Sequence, residues 1–185
     1  MRTAIFDLET SSLYANSGIV LCAVIKEYRQ PEVTIIRADQ FKSWKSGKSD
    51  NREVIKAIMA ALEPFNIYVA HNGQYFDKAW LNSACIKYGM KPTLRYEKFI
   101  DPVMLGRRFL RLARNSLASM LDYFDIEDSK TPIRFDHWVK ASLDSDTESM
   151  DYIVKHCVKD VKLLERVYDL TKSLVKGIDE GGSAR

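Results

Sequence analysis

The sequence predicts one α/β domain built on a mixed β-sheet. Three observations lead there. Three apolar strand segments come first, as in a meander, and helices and strands alternate after them. The chain has 185 residues, which suits one domain and leaves little room for two. Apolar residues make up 46% and charged residues 29%, a balance that excludes a disordered, collagen-like or disulfide-stapled chain. The leading strands imply antiparallel pairing, and the later ones, each reached through a helix, imply parallel pairing.

Residues 3–8 form an apolar strand and 18–28 a longer one, with a Ser/Asn/Gly turn between them. A third strand covers 33–38. The lysine-rich stretch 41–52 reads as an exposed loop. Val54, Ile55, Ile58, Ala61 and Leu62 recur at helical spacing, and Pro64 lies just beyond them. A short strand at 67–70 runs through the turn His71-Asn72-Gly73 into a helix carrying Phe76, Ala79, Trp80, Ala84 and Tyr88. A brief strand at 99–100 precedes helices at 102–113 and 116–124. Residues 127–132 read as a polar loop. A last long helix spans roughly 149–175, with Ile153, Cys157, Val161 and Leu164 as its apolar stripe. The domain is expected to cover 1–176, and the Gly-rich 177–185 to be a flexible tail.

Cys22, Cys85 and Cys157 form no CxxC pair and read as reduced, buried thiols in an intracellular, cytoplasm-like compartment, the host's if the protein is viral. The acids Asp7 and Glu9 come too early for a signal peptide, and the longest apolar run is too short to span a bilayer. No membrane partner is expected. The net charge of +3 permits nucleic-acid binding without requiring it.

Three motifs carry chemistry. In Phe6-Asp7-Leu8-Glu9-Thr10, two carboxylates stand two residues apart at the end of a strand, so both project from one face. Close carboxylates repel unless a cation lies between them, and hard oxygen donors suit Mg²⁺ or Mn²⁺. A solvated strand end explains the pair without a metal. In His71-Asn72-Gly73-Gln74-Tyr75-Phe76-Asp77, a turn leads into a helix with an acid at its start. That acid also complements the helix dipole, and Asn-Gly is a turn in its own right. In His156-Cys157-Val158-Lys159-Asp160, His and Asp share one helix face at i and i+4, as an ordinary surface contact also would.

Together and in this order, FDxET, HNGxxFDxxxL and HxxxD resemble the DEDD superfamily of 3′–5′ exonucleases, over about residues 3–170. The resemblance implies an RNase H-like fold and assigns four acidic ligands to Asp7, Glu9, Asp77 and Asp160. The histidine-type branch spaces its last motif H-x4-D and the tyrosine-type branch Y-x3-D. Here the spacing is x3 and the residue is His156. Asn72 stands five residues before Asp77, as in family B polymerase proofreading domains and YprB-like nucleases. The chain is thus similar to the tyrosine-type branch with His156 in place of the tyrosine. Tyr152, four residues earlier on the same helix face, is a weaker substitute.

The resemblance implies two Mg²⁺ or Mn²⁺ ions, with Asp7 bridging, Glu9 and Asp160 completing one shell and Asp77 holding the other. His156 would orient or deprotonate the attacking water, since an imidazole titrates near neutrality. The implied substrate is a single-stranded 3′ end, DNA ahead of RNA, yielding nucleoside 5′-monophosphates. Thr10 would meet the terminal sugar, and Asn72 and Phe76 the terminal nucleotide; core packing explains Phe76 equally well. Between Lys91 and Arg114 stand seven basic and two acidic residues. Of these, Arg107, Arg108 and Arg111 are candidates for phosphate contacts, with Arg114 nearby and Tyr96, Phe99 and Phe109 as stacking candidates. A solvated helix face with core aromatics is the plainer explanation. From Asp122 to Asp151 nine acids face three bases, so this segment is expected to stay away from the backbone of a nucleic acid, with Trp138 in the core. A proofreading role would need a separate polymerase or repair and replication protein. Competing functions are trimming of RNA 3′ ends, a catalytically weak nucleic-acid-binding module on the same fold, and a Mg²⁺ protein acting on mononucleotides.

Overall fold

The computed structural model describes residues 1–46, 50–95, 98–127 and 134–175. Strands β1 (Thr3–Thr10), β2 (Val20–Glu27) and β3 (Val33–Arg37) open the chain. A 3₁₀ turn (Ala38–Gln40) and helices α1 (Lys42–Ser46) and α2 (Arg52–Leu62) follow. Then come β4 (Ile67–Val69), α3 (Asp77–Lys87), β5 (Phe99–Ile100), α4 (Pro102–Phe109), α5 (Leu117–Tyr123), α6 (Phe135–Asp144) and α7 (Thr147–Thr171). The sheet order is β3-β2-β1-β4-β5. β1 pairs antiparallel with β2, and β2 with β3. β4 lies parallel to β1 on one side and to β5 on the other. This is the mixed sheet that the strand pattern implies.

β1 and β2 are buried along most of their length because other elements cover them, and Ile5, Phe6, Leu21 and Val24 are wholly inside. α7 lies against both strands. Its stripe Ile153, Cys157, Val161 and Leu164 is at most 1% exposed, as the i, i+4 spacing predicts. α2 turns Val54, Ile55, Ile58 and Leu62 inward by the same rule. A second apolar cluster joins Met120, Leu121 and Ile126 to Leu163 and Val167, seating α5 on the distal half of α7. The three cysteines are buried and free. Among the described residues, no helix is long and apolar enough to cross a membrane.

Some local expectations fail for identifiable reasons. The stretch read as an exposed loop contains α1, whose Trp44 is buried, and Asn51, whose side-chain amide pairs with both backbone groups of Val20. One buried aromatic among lysines leaves no periodic signal. The helix expected over 102–113 stops at Phe109, so Arg111 and Arg114 follow it in irregular chain. The last helix starts earlier, at Thr147, where the Asp146 side chain accepts the N–H of Ser149. α6 was not foreseen, although Phe135, Trp138, Val139 and Leu143 recur at helical spacing; in the structure only its Ala141 is fully buried. The expected loop at 127–132, beyond residue 127, and the tail at 177–185 lie outside the described residues.

Candidate active site

β1 carries the first two acids into the site. Asp7 pairs across to Val24 and Glu9 to Cys22, and the register slips between Glu9 and Thr10. A bulge there bends the strand end and re-aims its last side chains. Thr10 turns its hydroxyl back to donate to the carbonyl of Ser12, 2.8 Å away.

The turn after β4 delivers the third acid. Asn72 takes the left-handed conformation, φ 58°, which asparagine tolerates. A Cβ at Gly73 would sit 2.3 Å from that of Ala70, so the turn closes only around glycine. The buried Asp101 side chain accepts backbone N–H groups from Asn72 at 2.9 Å, Gln74 at 3.4 Å and Val103 at 3.0 Å. It thereby caps α4 and pins the turn in one stroke. Asp77, the first residue of α3, is 1% exposed and accepts the N–H of Leu8 at 3.0 Å. β1 and α3 are fastened to each other through that carboxylate.

α7 supplies the rest. His156 is buried, and its Nε2 lies 3.5 Å from Asp160 Oδ2 one turn on. Tyr152 does not line the cavity; its ring stacks on His137 of α6, centroids 4.1 Å apart. Cys157 directs its thiol at Asp7, 3.4 Å from Oδ2 and 3.5 Å from the backbone oxygen.

These elements enclose a cavity of about 480 Å³. Asp7, Glu9, Asp77, Asp160 and His156 all line it, with Thr10, Asn72 and Phe76. The three separated motifs therefore meet at one place. Arg107 lines a neighbouring cavity of about 580 Å³ together with Arg114, and the two cavities share His71 and Asn72. Arg108 and Arg111 line neither, and the Arg108 guanidinium lies over the Phe109 ring. Of the stacking candidates, Phe99 is buried on β5 against Phe6, Phe109 is about half exposed, and Tyr96 lies outside the described residues.

Two residues acquire roles that sequence reasoning did not give them. Trp138 packs partly against the core, yet its indole N–H donates to Glu9 Oε2 at 3.0 Å. The acid-rich segment is consequently a wall of the cavity rather than a remote face, with Phe135, Trp138, Val139 and Ser142 of α6 on it. His71 stands where the two cavities meet, with both of its ring nitrogens buried. Burial lowers its pKa to about 4, which keeps the ring neutral. The only sequence signal for His71 was its place in the HNG turn; for Trp138 there was none.

Among the described residues that line the acidic cavity there is no lysine or arginine, and the charges of Asp7, Glu9 and Asp77 act on one another there. Burial first, and Asp160 second, push Asp7 up to about 7. Burial and then Asp7 raise both Glu9 and Asp77 well above the usual carboxylate range, against the pull of Trp138 on Glu9 and of the Leu8 N–H on Asp77. Donor atoms of Asp7, Glu9 and Cys157 lie within 4.8 Å of one another. Burial also raises the Cys157 thiol, so it remains a hydrogen-bond donor to Asp7 rather than a thiolate ligand. What is left is a set of oxygen donors in mutual repulsion, which fits a hard divalent cation.

This electrostatic state has a measurable consequence. A carboxyl whose folded pKa exceeds its unfolded value contributes stability at low pH and loses it as pH rises through the folded value. For Asp7 that window runs from about 4 to about 7, and Glu9 and Asp77 act in the same direction. In EDTA the thermal midpoint is expected to fall from pH 5 to pH 8. Millimolar Mg²⁺ at pH 8 is expected to restore most of the loss, because a ligand of the folded state alone stabilises it. A midpoint at pH 8 that ignores Mg²⁺ would contradict a cation site here.

Comparisons with known proteins agree with the fold. A protein-family model described as RNase_H superfamily matches residues 4–172. A search of curated proteins finds no match. Among solved structures, the family B DNA polymerase from the hyperthermophilic archaeon Pyrobaculum calidifontis is similar, with a TM-score of 0.72 at 14% identity. The alignment covers 92% of this chain and 24% of the polymerase, so the chain spans about a quarter of that protein's length.

Proposed function

The chain belongs to the RNase H superfamily, and from that membership and its cluster of acids we propose that it is a metal-dependent 3′–5′ exonuclease acting on single-stranded ends. The observation that carries this reading is the convergence of Asp7, Glu9, Asp77 and Asp160 on one cavity from β1, α3 and α7. RNase H-like nucleases generally use divalent metals. By the resemblance to DEDD exonucleases, Asp7, Glu9 and Asp160 would hold one cation, and Asp7 with Asp77 a second. Bound there, the cations would supply the Lewis acidity that activates a water and offsets charge on the phosphodiester.

The chain's own groups do the remaining work. His156, whose Nε2 lies 3.5 Å from Asp160 Oδ2, orients the attacking water or takes its proton. This assigns His156 to the position where the tyrosine-type branch carries tyrosine. Leu13, Phe135 and Val139 give the cavity apolar walls, each more than half exposed, which suit unpaired bases better than a duplex. Thr10, Asn72 and Phe76 border the terminal nucleotide, and Arg107 flanks the path beyond Asn72. DNA is placed ahead of RNA on the resemblance of NGxxFD to proofreading domains, and the products are nucleoside 5′-monophosphates. Action beside a separate polymerase or repair protein is part of the same proposal.

The test uses 5′-labelled single-stranded DNA and RNA with Mg²⁺, Mn²⁺ or EDTA. A metal-dependent ladder that shortens from the 3′ end, longest on DNA, is the expected result. Full-length substrate in every lane would overturn the proposal, and shortening of RNA alone would reassign the protein to RNA 3′-end trimming.

A further inference from the structure

Trp138 touches both halves of the acidic site. Its indole N–H occupies Glu9 Oε2 at 3.0 Å. Its ring stands edge-on to His156, centroids 5.8 Å apart and planes at 81°. The ring is itself held, because it meets Tyr152 edge-on at 6.5 Å and Tyr152 stacks on His137 at 4.1 Å. His137 Nδ1 in turn lies 2.9 Å from the hydroxyl of the buried Ser149, on α7. A chain of contacts thus fixes the Trp138 rotamer against α7 and aims one donor at one carboxylate oxygen.

An isolated Glu side chain at a strand end has several rotamers, and ordering them costs conformational entropy. A donor already in place removes that cost and leaves the second oxygen, Oε1, for a cation shared with Asp7. Partners of this kind, which orient a ligand without touching the metal, typically matter by 10–100-fold in metal affinity. We propose that Trp138 is a positioning residue of the metal centre: its N–H fixes Glu9 on β1, and its ring couples that ligand to His156 on α7. This rests on the proposed metal site and adds to it a residue from α6.

Mn²⁺ binding by calorimetry tests the proposal without reference to activity. Trp138→Phe keeps an aromatic ring and removes the donor. It is expected to weaken Mn²⁺ binding by about 10-fold or more, with far-UV circular dichroism unchanged. The same substitution made on top of Glu9→Ala is expected to have no further effect, since the contact acts through Glu9. The chain has three tryptophans, at 44, 80 and 138. A protein carrying Trp44→Phe and Trp80→Phe retains Trp138 as its only tryptophan, and Mn²⁺ is expected to quench its emission at the concentrations that saturate the site. If Trp138→Phe does not fold, unquenched emission in that second protein still overturns the role.

Mn²⁺ affinity of Trp138→Phe within twofold of the unsubstituted protein would overturn the positioning role. So would an equal loss in the Glu9→Ala background, or unquenched Trp138 emission in a protein that binds Mn²⁺. Failure of the unsubstituted protein to bind Mn²⁺ at all is a separate result, which would overturn the metal centre and this role with it.

Discussion

In EDTA at pH 8, Asp7→Asn is expected to melt several degrees above the unsubstituted protein, while with Mg²⁺ present its exonuclease turnover is expected to fall by about 10³-fold. Asp7 is the acid that acts on the others: its charge helps to raise both Glu9 and Asp77. Removing its charge relieves that repulsion at once. For a domain of this size each kcal/mol moves the midpoint by about 2–4 °C. The amide keeps an oxygen that can accept the Cys157 thiol, so packing is retained. Activity moves the other way because the lost carboxylate is the proposed ligand of both cations, and losing one charge-stabilising contribution to the transition state is worth about 10²–10³-fold or more. Opposite signs on stability and turnover mark a residue kept for function at a structural cost. A variant that is both less stable and still active would show that Asp7 serves the fold.

Asp101→Ala should show a different pattern. It is expected to cost about 3–5 kcal/mol of stability and to lower activity without contacting the acidic cavity. Asp101 is 3% exposed and accepts three backbone N–H groups from two separate segments. Truncation leaves those donors buried without partners, which is the expensive way to lose a hydrogen bond. It also frees the turn at 72–74, which sets the start of α3 and so the place of Asp77. Urea denaturation gives the stability change directly. A loss below about 1 kcal/mol would mean that water replaces the carboxylate, and that the turn is held by Gly73 packing alone.

The parts of this molecule that the sequence made legible are local ones. Asp7 and Glu9 share a face because strand period is two, and His156 and Asp160 because helix period is 3.6. The α7 stripe follows from the same rule, and the strand-rich opening gives the antiparallel half of the sheet. What stayed hidden depends on contacts between distant segments. Asp101 reaches back to Asn72 and Gln74, and nothing in Ile100-Asp101-Pro102 announces that, although Asp before Pro does announce a helix start. Trp138 reaches Glu9 from the far end of the chain. A charge count over 122–151 averages the outer face of α6 with the face that lines the cavity, so it placed the whole segment away from the site. Trp44 and α1 were lost for a related reason, since one buried side chain among lysines has no period.

The most direct measurement of the four-carboxylate centre is anomalous diffraction from crystals soaked in Mn²⁺. Two anomalous peaks in the cavity are predicted, with Asp7 bound to both, Glu9 and Asp160 on one and Asp77 on the other, and Cys157 on neither. A single peak coordinated by Cys157, or no peak within reach of Asp7, would contradict it.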